Sequence, residues 1–109
     1  MDRVRTWLED ILVAIDEIEQ DLPETNDFNL FKQNRTAKRA IERNLEIIGE
    51  AMNRILKEDE TLPIASSRKI VNLRNQIIHG YDNISDEIIY TIATRDVPKL
   101  KEDILKLLG

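Results

Sequence analysis

No cysteine occurs in this chain of 109 residues, which removes disulfides, thiolate metal sites and cysteine nucleophiles from the chemistries open to it. Glycine and proline are also scarce, at three residues each, and aromatic side chains make up only 5% of the sequence. That shortage of turn formers and aromatics predicts helices. No uninterrupted apolar run approaches the roughly 18 residues that span a bilayer, and Met1-Asp2-Arg3-Val4-Arg5 leads into an amphipathic pattern rather than a signal-peptide core. The cytoplasm is therefore the expected location, with no membrane contact. His-Glu-x-x-His, Cys-x-x-Cys and a Gly-rich phosphate loop are all missing, so neither a metal nor a cofactor is expected. Net positive charge is missing too. At −5, the chain is not expected to coat nucleic acid through a generally basic surface, because such binding depends on phosphate neutralisation.

What is present is helical periodicity. Val4, Leu8, Ile11, Ile15, Ile18 and Leu22 alternate spacings of four and three, with Trp7 and Leu12 widening the stripe, and predict a helix that ends before Pro23. Asp21 to Asp27 has the composition of a connector. A second and longest helix, starting between Asp27 and Asn34, carries Ala37, Ile41, Leu45, Ile48, Met52 and Ile55, flanked by Ala40, Ile47 and Ala51. Gly49 in its middle costs about 1 kcal/mol of helix propensity, which predicts a tight helix crossing there. A third helix is predicted from near Pro63, through Ile64, Ile70, Val71, Ile77 and Ile78, to a stop at Gly80. Ser85-Asp86-Glu87-Ile88 reads as an N-cap, repeated at Asp96 with Pro98 just inside. Two consecutive helices or one kinked helix are expected up to Leu108. The length fits one domain, residues 1–109, with an all-α fold: an up-and-down bundle of four to five helices.

Within the third helix Arg74 has Ile70, Val71, Ile77 and Ile78 at i−4, i−3, i+3 and i+4, so a charge lies on the apolar stripe. Either it snorkels or pairs with a carboxylate such as Glu46 or Glu50, or it is kept at a protected interface to hold an anion. His79 is the sole histidine and has Asn75 one turn back. It suits both the dipole at a helix C-terminus and proton transfer near neutral pH. One chain supplies a single imidazole, so an acid and base pair would need two subunits. Lys32, Arg35, Arg39 and Arg43 recur at spacings of three, four and four. They make a basic ridge for a nucleic-acid backbone if the second helix begins early enough; a solvated face beside Glu42, Glu46 and Glu50 explains them as well.

Arg74-Asn75-Gln76-Ile77-Ile78-His79-Gly80-Tyr81 resembles the R-x-x-x-x-H-x-Y signature of the HEPN superfamily, in its HepT-like toxin branch. Ala40-Ile41-Glu42-Arg43-Asn44-Leu45-Glu46-Ile47-Ile48-Gly49-Glu50-Ala51 is similar to the segment that fills the second long helix in that branch. The resemblance implies a HEPN-like bundle that forms a homodimer, with the motif helices of both subunits lining one cleft. It also implies a metal-independent endoribonuclease: Arg74 would hold the scissile phosphate, His79 would move a proton, and Asn75 would orient either of them. The product would carry a 2′,3′-cyclic phosphate. In this branch the toxin is paired with a minimal nucleotidyltransferase that silences it by AMP transfer to the motif tyrosine, here Tyr81. That tyrosine must then face solvent beside the cleft rather than pack back on its helix. Two other roles stand beside the enzyme: a non-catalytic nucleotide-binding or scaffolding partner of a nucleotidyltransferase, and the neutralising antitoxin of the pair. Intact Arg74, His79 and Tyr81 favour the enzyme.

Overall fold

Spacings of four and three along the first segment close into α1 (Asp2–Asp21), where Val4, Leu8, Ile11, Ile15 and Ile18 are buried and Trp7 and Leu12 pack half-buried beside them. A last backbone bond, from Leu22 N–H to the Ile18 carbonyl at 3.0 Å, ends the helix before Pro23, as predicted. The computed structural model describes residues 2–64, 67–78 and 85–109; the predicted helix stop at Gly80 lies outside the described residues.

The second predicted helix is divided in two. Asp27 caps α2 (Phe28–Gln33) by accepting from the backbone N–H groups of Asn29 and Leu30, so the start falls within the predicted range. At Asn34 the helix breaks. The Asn34 backbone N–H closes α2 on the Phe31 carbonyl, while its side-chain oxygen accepts from Ala37 N–H at 3.0 Å and opens α3 (Arg35–Glu58). An asparagine that serves both ends competes with continuous helix through its own side chain. Asn34→Ala is expected to cost about 1 kcal/mol in urea denaturation, and Asn34→Asp, which keeps the accepting oxygen, much less.

Along α3, Ala37, Ile41, Leu45, Ile48, Met52 and Ile55 are all buried, and the helix packs against both α1 and α4. The next helix, α4 (Ser67–Ile78), begins later than the sequence predicts. Pro63 is not in its first turn. Ahead of it Ile64 N–H is bonded to the Leu62 carbonyl at 2.9 Å, and Ser67 N–H to the Ile64 carbonyl at 3.3 Å. Ile64 is buried there as an anchor.

Ser85 caps α5 (Asp86–Thr91) through its hydroxyl, which accepts from Ile88 N–H at 3.2 Å, as predicted. The predicted second cap does not form. Asp96 has helical backbone angles and makes no side-chain cap; its carboxylate pairs with Lys69 of α4 at 3.0 Å. Between α5 and α6 (Val97–Leu108) the chain runs on through a π-helical turn, Ile92–Asp96. Pro98 explains the turn, because it has no N–H for the carbonyl four residues back and its ring needs room beside that carbonyl. Val97 N–H accordingly bonds to the Ile92 carbonyl, five residues back, and the Thr94 hydroxyl donates to the Tyr90 carbonyl at 2.7 Å, a back-bond that bends helices.

Helix α6 closes the core with Leu100 and Ile104 and packs on α1. On its outer side Lys101 donates to Glu19 at 2.8 Å. That hydrogen bond, followed by the charge of Glu19, raises the Lys101 pKa above the ordinary lysine value. The small stabilisation this brings is complete below the ordinary lysine range and is lost as pH rises through the raised value.

The extents are 41 × 29 × 19 Å, so the bundle is about two helix diameters thick. Even the central α3 therefore shows solvent one face, on which Arg39, Arg43, Ile47 and Arg54 are exposed. The protein is an all-α helical bundle, and among the described residues no helix is long and apolar enough to cross a membrane.

Candidate active site

Arg74 sits where α4 crosses α3, between buried Ile70 and Val71 on one side and half-buried Ile77 on the other. The crossing is as tight as Gly49 predicts. A Cβ on Gly49 would fall 2.2 Å from the Cβ of Arg74, 2.9 Å from its Cγ and 3.0 Å from the Ile70 carbonyl oxygen. The stem of Arg74 thus lies directly on the backbone of α3. Its side chain is only 23% exposed, the burial covering the stem and the guanidinium Nε.

The guanidinium is incompletely satisfied. Nη1 donates to the Asn75 side-chain oxygen at 3.1 Å, and Nη2 faces Glu50 Oε2 at 3.8 Å, beyond hydrogen-bond distance. Nε is buried and has no hydrogen-bond partner among the described residues. Glu50 directs its other oxygen to Arg54 Nη2 at 2.9 Å. Of the two carboxylates that the sequence offers, Glu50 faces Arg74, and Glu46 is taken by Arg43 at 3.2 Å. The result is one carboxylate between two guanidinium groups, with an arginine fork that still has donors to give. An anion with two oxygens, such as a phosphate, suits that fork.

Asn75 is exposed and holds Arg74. Its expected action on His79 falls outside the described residues, as do His79 itself and Tyr81. The geometry therefore brings together Arg74 and Asn75 of the motif with Gly49 and Glu50 of the upstream stretch. Arg54 is the member that sequence reasoning missed. Its position one turn after Glu50 was the available signal.

The basic residues do not form one straight ridge. Arg35, Arg39 and Arg43 follow one another on exposed turns of α3, but Lys32 lies on α2, beyond the break at Asn34. Lys38, next to the ridge, is occupied by Asp86 of α5 at 3.2 Å. Among the described residues Arg35 and Arg39 make no ion pair, whereas Arg43 shares Glu46.

Comparison with known proteins gives the family. A family model described as "Ribonuclease HepT-like" matches residues 11–107. The chain is 35% identical to "Putative RNase MJ1380" of Methanocaldococcus jannaschii over 103 residues, 93% of each chain. It is 36% identical over 110 residues to "Putative RNase MJ0127" of the same organism, covering 94% of this chain and 88% of the relative. It is 33% identical over 104 residues to "Probable ribonuclease HepT" of Thermococcus cleftensis, covering 94% of each. No solved structure matches the chain. A match over almost the whole length, carried by a helical bundle whose Arg74 and Gly49 stretches meet at one crossing, places this chain in the HepT-like family of the HEPN superfamily.

Proposed function

We propose that the protein is a metal-independent endoribonuclease toxin, the RNA-cleaving half of a two-gene toxin–antitoxin module. The observation that carries this reading is the Arg74 guanidinium, stem-buried on α3 with Nε unpartnered among the described residues and Nη2 only loosely faced by Glu50. Such a fork is preorganised to receive a phosphate. RNA's 2′-hydroxyl oxygen attacks the adjacent phosphorus while the bond to the 5′ oxygen breaks. His79 of one subunit takes the 2′-hydroxyl proton, and the partner's His79 gives a proton to the leaving oxygen. The products are a 2′,3′-cyclic phosphate and a 5′-hydroxyl. Asn75 steadies Arg74, and Lys32, Arg35, Arg39 and Arg43 guide the RNA backbone from two adjoining helices.

Purified protein is expected to cut an RNA oligonucleotide without added metal. Placing a 2′-deoxynucleotide on the 5′ side of the cut should block that cut alone. Continued cleavage at the substituted position would remove the internal nucleophile from the mechanism.

The single histidine per chain calls for a C2 homodimer with α4 at or beside its interface. Light scattering at micromolar concentration is expected to give twice the chain mass; a stable monomer would contradict the two-imidazole scheme. Regulation is assigned to Tyr81. Co-expression with a cognate minimal nucleotidyltransferase should add AMP to it, each adduct bringing phosphate charge near His79 and weakening RNA binding. Intact-mass measurement checks this, since an adduct that persists in Tyr81→Phe would place the modification elsewhere.

A further inference from the structure

We infer that Gly49 and Glu50 of α3 form the seat that positions the Arg74 guanidinium, and are positioning residues for the reaction proposed above. The inference takes its chemistry from that reading, while the seat itself rests on packing. At Gly49 the space a side chain would fill is occupied by the Cβ and Cγ of Arg74. With its stem against backbone, the arginine's reach is set by the helix crossing rather than by free rotation of its first bonds. An alanine Cβ at 2.2 Å lies far inside the about 3.5 Å of a favourable carbon contact. Because the clash is with the Cβ of residue 74, which no rotation of the side chain moves, the two helices would have to separate by about an ångström.

Glu50 then aims the far end. Its Oε1 is held by Arg54 at 2.9 Å, which fixes the carboxylate, and its Oε2 faces Arg74 Nη2 at 3.8 Å. At that distance it attracts the fork without consuming a hydrogen bond. Nη2 consequently remains free to donate to an incoming anion, at the outer end of a guanidinium whose Nε is buried. Asn75 holds Nη1 from the opposite end. A carboxylate in full contact would compete with a phosphate; with none, the guanidinium would lose its direction. Glu50 does neither, because Arg54 shares it.

The test compares Gly49→Ala, Glu50→Gln and Glu50→Asp with the unaltered protein, by steady-state RNA cleavage and by the NMR resonance of the Arg74 Nε–H, assigned with Arg74→Lys. Gly49→Ala is expected to shift that resonance and to lower kcat by about a hundredfold with little change in KM, the effect of misplacing a reacting group by about an ångström. Glu50→Gln, which removes the charge of a partly exposed pair, should shift the resonance less and lower kcat about threefold. Glu50→Asp, which keeps the charge, should recover part of that loss. In an Arg74→Ala background the Glu50 variants should change cleavage no further. An unchanged resonance and kcat in both Gly49→Ala and Glu50→Gln, or equal losses on Glu50→Gln with and without Arg74, would overturn the inference. Should Gly49→Ala fail to fold, the two Glu50 variants decide the matter by themselves. Should the unaltered protein cleave no RNA, the proposed function falls, and the Nε–H resonance still decides whether the seat exists.

Discussion

Replacing Arg74 or His79 by alanine is expected to lower RNA cleavage by at least about a hundredfold, the usual contribution of a positioned proton donor or an anion-stabilising group. Growth inhibition on expression should disappear in parallel. Far-ultraviolet circular dichroism should remain that of a helical protein. For Arg74 this follows from its surroundings, since the guanidinium sits at the edge of the α3 and α4 crossing and Glu50 keeps Arg54 at 2.9 Å when Arg74 is gone. No buried charge is left without a partner, which is the situation that makes the loss of one member of an ion pair expensive. Loss of helical signal in Arg74→Ala would instead make the residue a structural one.

The second large effect is on stability alone. Ile15 is fully buried on α1, in the core that α1 shares with α3. Ile15→Ala is expected to cost about 3 kcal/mol in urea denaturation, through lost transfer energy and the cavity left behind. For a domain of this size that is a large part of the roughly 5–15 kcal/mol that separates folded from unfolded chains. The cleavage rate per folded molecule should not change, because Ile15 is on α1 and the Arg74 cluster is built on α3 and α4. A proportional fall in activity at temperatures where the variant is fully folded would mean that the core reaches the site.

Most helices were legible because their apolar residues recur at three and four, and that spacing reports directly which face is buried. Gly49 could be read for the same reason, as a costly residue in a long helix needs close packing to justify it. The carboxylate facing Arg74 was among the two the sequence offered. What periodicity did not reveal was local competition between backbone and side chain. Asn34 interrupts a run that spacing alone would continue, because its amide serves as a cap. Asp96 looked like a cap and is not one, since Pro98 imposes a wider turn and the carboxylate goes to Lys69 across the bundle. Pro63 suited a first helical turn, but the fold used it ahead of the helix, where Ile64 reaches the core. The Arg74 to Asn75 contact was hidden for another reason. Successive residues of a helix do not face one another, so only the length of the arginine side chain makes it possible.

The contact between Gly49 and Arg74 also restricts how the sequence can diverge. A side chain at 49 would meet the Cβ that every residue other than glycine carries at 74, 2.2 Å away. Changing Arg74 to another residue therefore does not release position 49, which only a wider crossing of α3 and α4 would free. Relatives that keep this crossing should keep glycine at 49 whatever stands at 74, and a chimera that takes α3 from one relative and α4 from another should pack only where both parents cross at the same distance.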